Sequence, residues 1–193
     1  GLATGLCAGC VVRLLRLSHD RAAARVALWL EEWREVWWTV PIWFGVLVAL
    51  AVILRRIVRE EPLISGSGIP QTELALAGRL SFTWWRVLLA KFLGSWLALF
   101  GGLALGREGP SIQMGGAVGA GFHALWRPAA PHALTGSPYV VAGAVAGLAA
   151  AFGAPAAGVL FAFEEMKSRR DTSLIVAACA SAIGAHLMIR IVF

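Results

Sequence analysis

Charged residues are scarce in this sequence: they make up 15% of its 193 residues, whereas 59% are hydrophobic. Across residues 92–163 the formally charged side chains are Arg107, Glu108 and Arg127. With a mean hydropathy of +0.73, such uncharged runs exclude an ordinary soluble domain. We therefore predict an all-α, polytopic membrane protein.

Cysteine is also scarce, and Cys7, Cys10 and Cys179 are too few for a disulfide framework. The Cys-Ala-Gly-Cys segment lacks the second ligand pair of a zinc site, so we interpret residues 7–10 as a small-residue packing surface. No metal or cofactor is predicted. The apolar segments carry no Ser/His pair or His-x-x-x-His pair, which argues against a membrane-embedded hydrolase.

The basic residues cluster beside apolar runs, at residues 55–59 and 167–170, and form no nucleic-acid face. This positive-inside pattern predicts that both clusters are cytoplasmic. The uncharged run 37–54 opens with interfacial tryptophans and closes on the first cluster, so it is predicted to cross the membrane from outside to inside.

Glycine and proline interrupt the other apolar runs. Short segments of this kind are typical of transporters whose broken or re-entrant helices converge on a site near the midplane. Lys91 is predicted to snorkel, or else to lend positive potential to a nearby site. The first predicted helix, 2–30, is either long or broken around a solvated turn at His19, and the helix 87–105 is broken at Gly101 and Gly102. The other predicted helices are 71–76, 110–126, 139–151, one that begins at 156, and 172–189.

Glu108 is a costly residue at membrane depth, which makes function the default hypothesis. Gly106 and Gly109 allow a close approach to the backbone, and Pro110 suits the first turn of a helix. The N-terminus of that helix would attract an anion. The alternative is a polar turn at the membrane surface, with Arg107 and Glu108 as a solvated ion pair.

Two further segments repeat this chemistry. Residues 65–71 form a Gly/Ser loop that runs into Pro70, and the Ser67 hydroxyl can donate to an anion, although a plain linker would look the same. Residues 153–158 lead to Glu164 and Glu165, which are either functional carboxylates or a solvated pair beside the second basic cluster.

Together, residues 66–70 (Gly-Ser-Gly-Ile-Pro), 106–110 (Gly-Arg-Glu-Gly-Pro) and 153–158 (Gly-Ala-Pro-Ala-Ala-Gly) closely resemble the CLC family of chloride channels and proton/chloride antiporters. The resemblance runs from about residue 37 onward and includes residues 84–87 and 143–148. It implies one half of an inverted-repeat fold, so residues 1–193 are expected to be a partial transmembrane domain, the first repeat, truncated at both ends.

The resemblance also implies residue roles. Ser67 matches a serine that coordinates the central anion, Glu108 a gating glutamate, and Glu165 the inner proton glutamate of exchangers. Glu164 and Glu73 are weaker candidates for the proton pathway. The expected chloride-binding positions are Gly66, Ser67, Gly68, Ile69, Pro70, Gly106, Arg107 and Gly109.

The expected function is voltage-independent or weakly voltage-dependent anion transport, as proton-coupled chloride antiport. The alternatives are a passive chloride channel, a fluoride exporter, and a structural or regulatory membrane module with an incomplete pore. The expected partners are chloride, protons, the lipid bilayer, a second copy in a homodimer, and the second half of the same transporter, in a prokaryotic inner membrane. The family's second-half Gly-x-Phe-x-Pro segment and pore tyrosine have no counterpart here, since Tyr139 lies in a different setting.

Overall fold

The computed structural model of the protein describes residues 1–32, 36–103, 105–164 and 172–192, without the side chains of residues 30 and 192. Within these ranges the chain is helical and has no strand, which confirms the predicted all-α fold. The helices are α1 Leu2–Glu32, α2 Thr39–Glu60, α3 Ile69–Leu76, α4 Trp84–Phe100, α5 Glu108–Trp126, α6 Pro138–Phe152, α7 Pro155–Glu164 and α8 Thr172–Val192, with a 3-10 turn at Pro62–Ile64.

Proline marks most of the helix starts. Helices α6 and α7 begin at a proline, and Pro70 is the second residue of α3. Helix α5 begins at Glu108, two residues before the predicted start. Pro110 fits there because the first N–H groups of a helix need no intrahelical acceptor. The predicted break after α4 is confirmed, since Gly101 and Gly102 form a turn in which Gly102 has a φ of +74°.

The predicted turn at His19 is wrong, because α1 runs without interruption through residues 18–20. His19 is partly buried within the helix. The Ser18 hydroxyl donates to the Leu15 carbonyl at 2.8 Å, so it is satisfied inside the helix. Unfavourable propensity costs only about 0.5 kcal/mol per residue, which the burial of Val12, Leu15 and Val26 along the same helix outweighs.

Small residues hold the helices together. A Cβ built on Gly115 would lie 3.1 Å from Gly147 Cα and closer still to the Gly143 backbone, so α5 and α6 touch backbone to backbone. Helices α1 and α8 meet in the same way, with Gly9 against Ala185. Ala8 is fully buried while Cys7 is exposed. The interpretation of residues 7–10 as a packing surface is therefore confirmed for Ala8 and Gly9, while Cys7 faces outward.

Two helices in the described ranges, α2 and α8, are long and apolar enough to cross a membrane. Helix α2 has no buried residue, and its exposed side chains include Phe44 and Val52. An apolar helix with this much exposed surface is suited to lipid rather than water. Helix α4 lies between α2 and α5, and the loops before α3 and α5 approach each other beside it.

Candidate functional site

The two glycine-rich loops that the sequence singles out meet in space. A Cβ built on Gly109 would lie 2.6 Å from the carbonyl oxygen of Ser67 and 2.8 Å from Ser67 Cβ. Any larger residue at position 109 would collide with the other loop. Glycine is therefore required by this close approach, and the N-termini of α3 and α5 come together at residues 67 and 109.

Neither of these N-termini is capped by a side chain. The N-cap of α3 is Gly68, which adopts a φ of +90° that favours glycine. Among the described residues, the N–H groups of Gly66, Ser67 and Gly68 have no backbone acceptor, and the Ile69 N–H reaches Ser67 Oγ only at 3.4 Å. The arrangement leaves positive helix ends and unpaired donors open to an anion.

A cavity of about 450 Å³ lies beside the meeting point. Helix α2 forms one wall, and the loops before α3 and α5 form the others together with α4. The polar lining residues are Ser65, Ser67, Ser95, Lys91 and Glu108. The cavity is therefore mostly apolar with a few converging polar groups, which is typical of a small-ligand site.

Glu108 faces this cavity, and Arg107 does not. The Glu108 side chain is half-buried, and its Oε2 folds back to within 2.6 Å of a Cβ built on Gly106. Arg107 instead lines a small pocket against α1, where its guanidinium lies 3.6 Å from Asp20 Oδ1. The alternative of an ion pair between Arg107 and Glu108 is wrong. In the described part of the chain, no basic side chain is paired with the Glu108 carboxylate.

Lys91 does not snorkel. Its residue is only 4% exposed, and its Nζ donates to the carbonyls of Ile64 at 2.8 Å and Gly66 at 2.6 Å. The prediction fails because two carbonyls of a distant loop satisfy the ammonium group inside the protein, so it gains nothing by reaching water. Lys91 also lines the cavity, which agrees with the alternative that it adds positive potential to a nearby site.

Two glutamine side chains hold the same loop. Gln113 Nε2 donates to the Leu63 carbonyl at 2.8 Å, and Gln71 Nε2 donates to the Ser65 carbonyl at 2.8 Å. Sequence reasoning does not find Gln71, Gln113 or Asp20. A lone amide in the uncharged run 109–126 was the available signal for Gln113, but the partner lies 50 residues away and no local pattern reveals it.

The proposed proton residues are only partly described. Glu165 lies outside the described residues, as do Lys167, Arg169 and Arg170. Glu164 is exposed at the last residue of α7, and Glu73 is half-buried on α3. Residues 153–158 do not line the cavity, although Gly158 packs closely against α6. The structure therefore brings together two of the three signature segments.

Comparison with known proteins identifies similar chains. The sequence model of the family described as "Voltage gated chloride channel" matches residues 45–193. The chain is 38% identical over 197 residues to the H(+)/Cl(-) exchange transporter ClcA of Vibrio cholerae serotype O1, with 99% of this chain and 41% of that protein covered. It is 41% identical over 155 residues to the protein of the same name from Klebsiella pneumoniae (strain 342), with 80% of this chain and 31% of that protein covered.

A solved structure shares the fold. The chain superposes on the crystal structure of a slow cyanobacterial Cl-/H+ antiporter with a TM-score of 0.82 and 32% sequence identity. The superposition covers 99% of this chain and 45% of that one. The chain thus spans less than half the length of each of these relatives.

Proposed function

Because this chain belongs to the voltage gated chloride channel family, we propose that it forms part of a transporter that exchanges chloride for protons across a membrane. The relatives from Vibrio cholerae and Klebsiella pneumoniae are named as H(+)/Cl(-) exchange transporters, and the similar solved structure is a Cl-/H+ antiporter. Residues 1–193 are then a partial transmembrane domain that corresponds to the first inverted repeat.

The observation that carries this proposal is the contact between residues 67 and 109 beside the cavity that Glu108 lines. Unpaired N–H groups and two helix N-termini favour a negative charge there, and chloride and the Glu108 carboxylate are both negative. An ionised Glu108 therefore competes with chloride for the same positive surroundings. Protonation of Glu108 removes that competitor, which links proton uptake to chloride entry.

The individual residues are proposed to have separate roles, which this geometry supports. Ser67 donates its hydroxyl to chloride, and Glu108 is the gate that takes up the proton. The backbone around them provides the N–H donors and the space for the ion. The proposed chloride-binding positions are Gly66, Ser67, Gly68, Ile69, Pro70, Gly106, Arg107 and Gly109, of which Arg107 contributes through its backbone because its guanidinium points toward Asp20.

Protons need a second carboxylate on the inner side, because the gate alone connects to one side of the membrane. We assign this role to Glu165, with Glu164 and Glu73 as further members of the pathway. The exposed position of Glu164 at the end of α7 suits a residue that exchanges protons with water. The half-buried position of Glu73 suits a relay inside the protein.

Flux measurements on the full-length transporter in liposomes test the proposal. We expect Glu108→Ala to abolish proton flux while chloride flux continues, because alanine neither binds a proton nor blocks the site. Glu165→Gln is expected to abolish proton flux as well. A pH electrode and a chloride electrode record the two fluxes.

Glu60→Gln is the matched control, since Glu60 is an exposed carboxylate paired with Arg56, and it should leave both fluxes unchanged. Proton flux that survives both test substitutions would contradict the proposal.

A passive chloride channel would use the same anion loops and the same gate. The reversal potential separates the two functions, because in an antiporter it depends on the pH gradient and in a channel it does not. A structural or regulatory module would bind no anion. Calorimetry with chloride titrated into the full-length protein would then show no heat of binding.

The assembly proposed for this chain has three parts. It is completed by a second half of the same transporter, it pairs with a second copy as a homodimer, and it lies in a prokaryotic inner membrane. The exposed apolar helix α2 supports the membrane environment.

A further inference from the structure

Four consecutive backbone carbonyls next to the candidate anion site are each bonded by a side-chain donor. Gln113 bonds the carbonyl of residue 63, Lys91 those of 64 and 66, and Gln71 that of 65, at distances of 2.6 to 2.8 Å. The three donors come from three different helices, α5, α4 and α3. We call Gln71, Lys91 and Gln113 the carbonyl clamp.

The N–H groups of the same loop are in the opposite situation. In the described structure those of Gly66, Ser67 and Gly68 have no backbone acceptor. A carbonyl oxygen carries partial negative charge and repels an anion, whereas an N–H group attracts one. The clamp turns the carbonyls of residues 63–66 to side-chain donors, which lowers their repulsion of an anion at the neighbouring N–H groups.

Resting on the proposed chloride transport, we infer that Lys91, Gln113 and Gln71 are positioning residues that keep these carbonyls from facing the anion and so set the chloride affinity. None of the three needs to touch chloride. Among the described residues that line the cavity, Lys91 carries the only positive side chain, so it acts through charge as well as through its two hydrogen bonds.

Two of the three clamp side chains are buried, which makes their bonds costly to lose, whereas Gln71 is only partly buried and its bond to Ser65 is exposed. Lys91 is 4% exposed and Gln113 is 3% exposed. Gln113 also packs directly beneath the loop, where a Cβ on Gly68 would collide with its side chain. The Gln113 side chain occupies the space that a Cβ at position 68 would need, which favours glycine there along with its positive φ. A shift of the loop would therefore displace the side-chain amide of Gln113.

Calorimetry with sodium chloride titrated into the purified full-length transporter, in chloride-free buffer at one pH, tests this inference. We expect the chloride Kd to rise about fivefold in Gln113→Met and in Gln71→Met, because each loses one hydrogen bond to the loop. Lys91→Met loses two charge-assisted bonds and the positive charge, so its Kd is expected to rise about thirtyfold. Lys91→Arg keeps the charge and the donors and should recover most of the affinity.

Ser137→Ala is the matched control. It removes the buried hydrogen bond of 2.9 Å between Ser137 and His123. His123 lies on the same helix as Gln113 but near the other end, so the chloride Kd should not change. Thermal unfolding in chloride-free buffer separates lost stability from lost affinity. If Lys91→Met does not fold, the two glutamine variants decide the question.

Three outcomes overturn the inference. In the first outcome, the clamp variants bind chloride as tightly as the wild type although their stability falls. In the second, Ser137→Ala weakens chloride binding as much as the clamp variants do. In both cases the wild type still binds chloride, and the proposed function stands. If the wild type binds no chloride, the proposed function fails and the clamp fails with it.

Discussion

Arg107 and Glu108 are adjacent in sequence, yet their side chains enter different spaces. The guanidinium of Arg107 faces Asp20 and lies in the same small pocket as Arg16 and His19, while Glu108 faces the cavity. Asp20 also lies 4.0 Å from Arg16. Both carboxylate and guanidinium are partly exposed, so the pair contributes about 0–1 kcal/mol to stability. The pair holds the Arg107 guanidinium on the α1 side, away from the cavity that Glu108 lines.

We expect Asp20→Asn in the full-length transporter to slow chloride and proton flux together by about two- to fivefold, because a released Arg107 can pair with Glu108 and hold the gate. The ratio of the chloride flux to the proton flux should not change, since both fluxes depend on the same movement of the Glu108 carboxylate. Liposome flux assays with chloride and pH electrodes measure both rates at once.

The double variant Asp20→Asn/Arg107→Gln shows whether Arg107 is responsible. Without a guanidinium, loss of Asp20 should have no further effect, so the double variant should match Arg107→Gln alone. Equal slowing by Asp20→Asn in the presence and absence of Arg107 would show that Asp20 acts by another route. Glu60→Gln, which breaks the exposed ion pair with Arg56, is the control for removal of a surface carboxylate.

Helices α5 and α6 pack backbone to backbone, and glycine makes this possible. Gly115 lies against Gly143, Gly119 against the Tyr139 backbone, and Gly147 against the Ser111 backbone. Small residues of this kind replace the hydrophobic driving force that is absent between helices in lipid. Because α5 carries Glu108 at its first residue, the α6 contact also helps to position the proposed gate.

We expect Gly115→Ala to destabilise the protein by about 1–3 kcal/mol, because the new methyl group meets backbone that cannot move aside. Gly45→Ala is the matched control. Gly45 lies in the exposed helix α2 and has nothing within 4 Å of a built Cβ, so alanine should be neutral or stabilise by up to about 1 kcal/mol. Tryptophan fluorescence during thermal unfolding in detergent measures both. Equal midpoints for the two variants would contradict the close packing.

Much of this element-scale structure can be predicted from the sequence because its signals are local. Proline and glycine place the starts of α3, α6 and α7 and the end of α4 within a few residues. Of the two alternatives for residues 2–30, the long helix is confirmed and the solvated turn at His19 is wrong, because burial along a long helix outweighs weak turn signals.

The candidate site is predicted in the same way, but only in part. Glycine and proline reveal the loops at residues 66–70 and 106–110. Gly66 and Gly68 are required by a positive φ, and Gly109 by the close approach of the other loop. The clamp is not predictable, because Lys91 and Gln113 reach carbonyls 25 to 50 residues away. The same reason applies to the pairing of Asp20 with Arg107.

Across the whole molecule, one orientation in the membrane follows from α2. Its exposed apolar surface is suited to lipid, and Arg55, Arg56 and Arg59 lie at its C-terminal end. Basic residues remain on the cytoplasmic side, so this end is predicted to be inside. The loop that carries Ser67 follows within a few residues and must lie on the same side. Chloride from the cytoplasm would then meet Ser67 before it meets Glu108.

Single cysteines at the two ends of α2 test this orientation. In a full-length transporter whose cysteines have all been replaced, we expect Trp37→Cys to react with a membrane-impermeant maleimide in intact cells, because Trp37 is 82% exposed just before the helix. Glu60→Cys, at the other end, should react only after the membrane is permeabilised. The cysteine-free parent must remain unlabelled. The reverse pattern would place the basic end outside, and Ser67 would then face the outer solution instead of supplying the inner entrance for chloride.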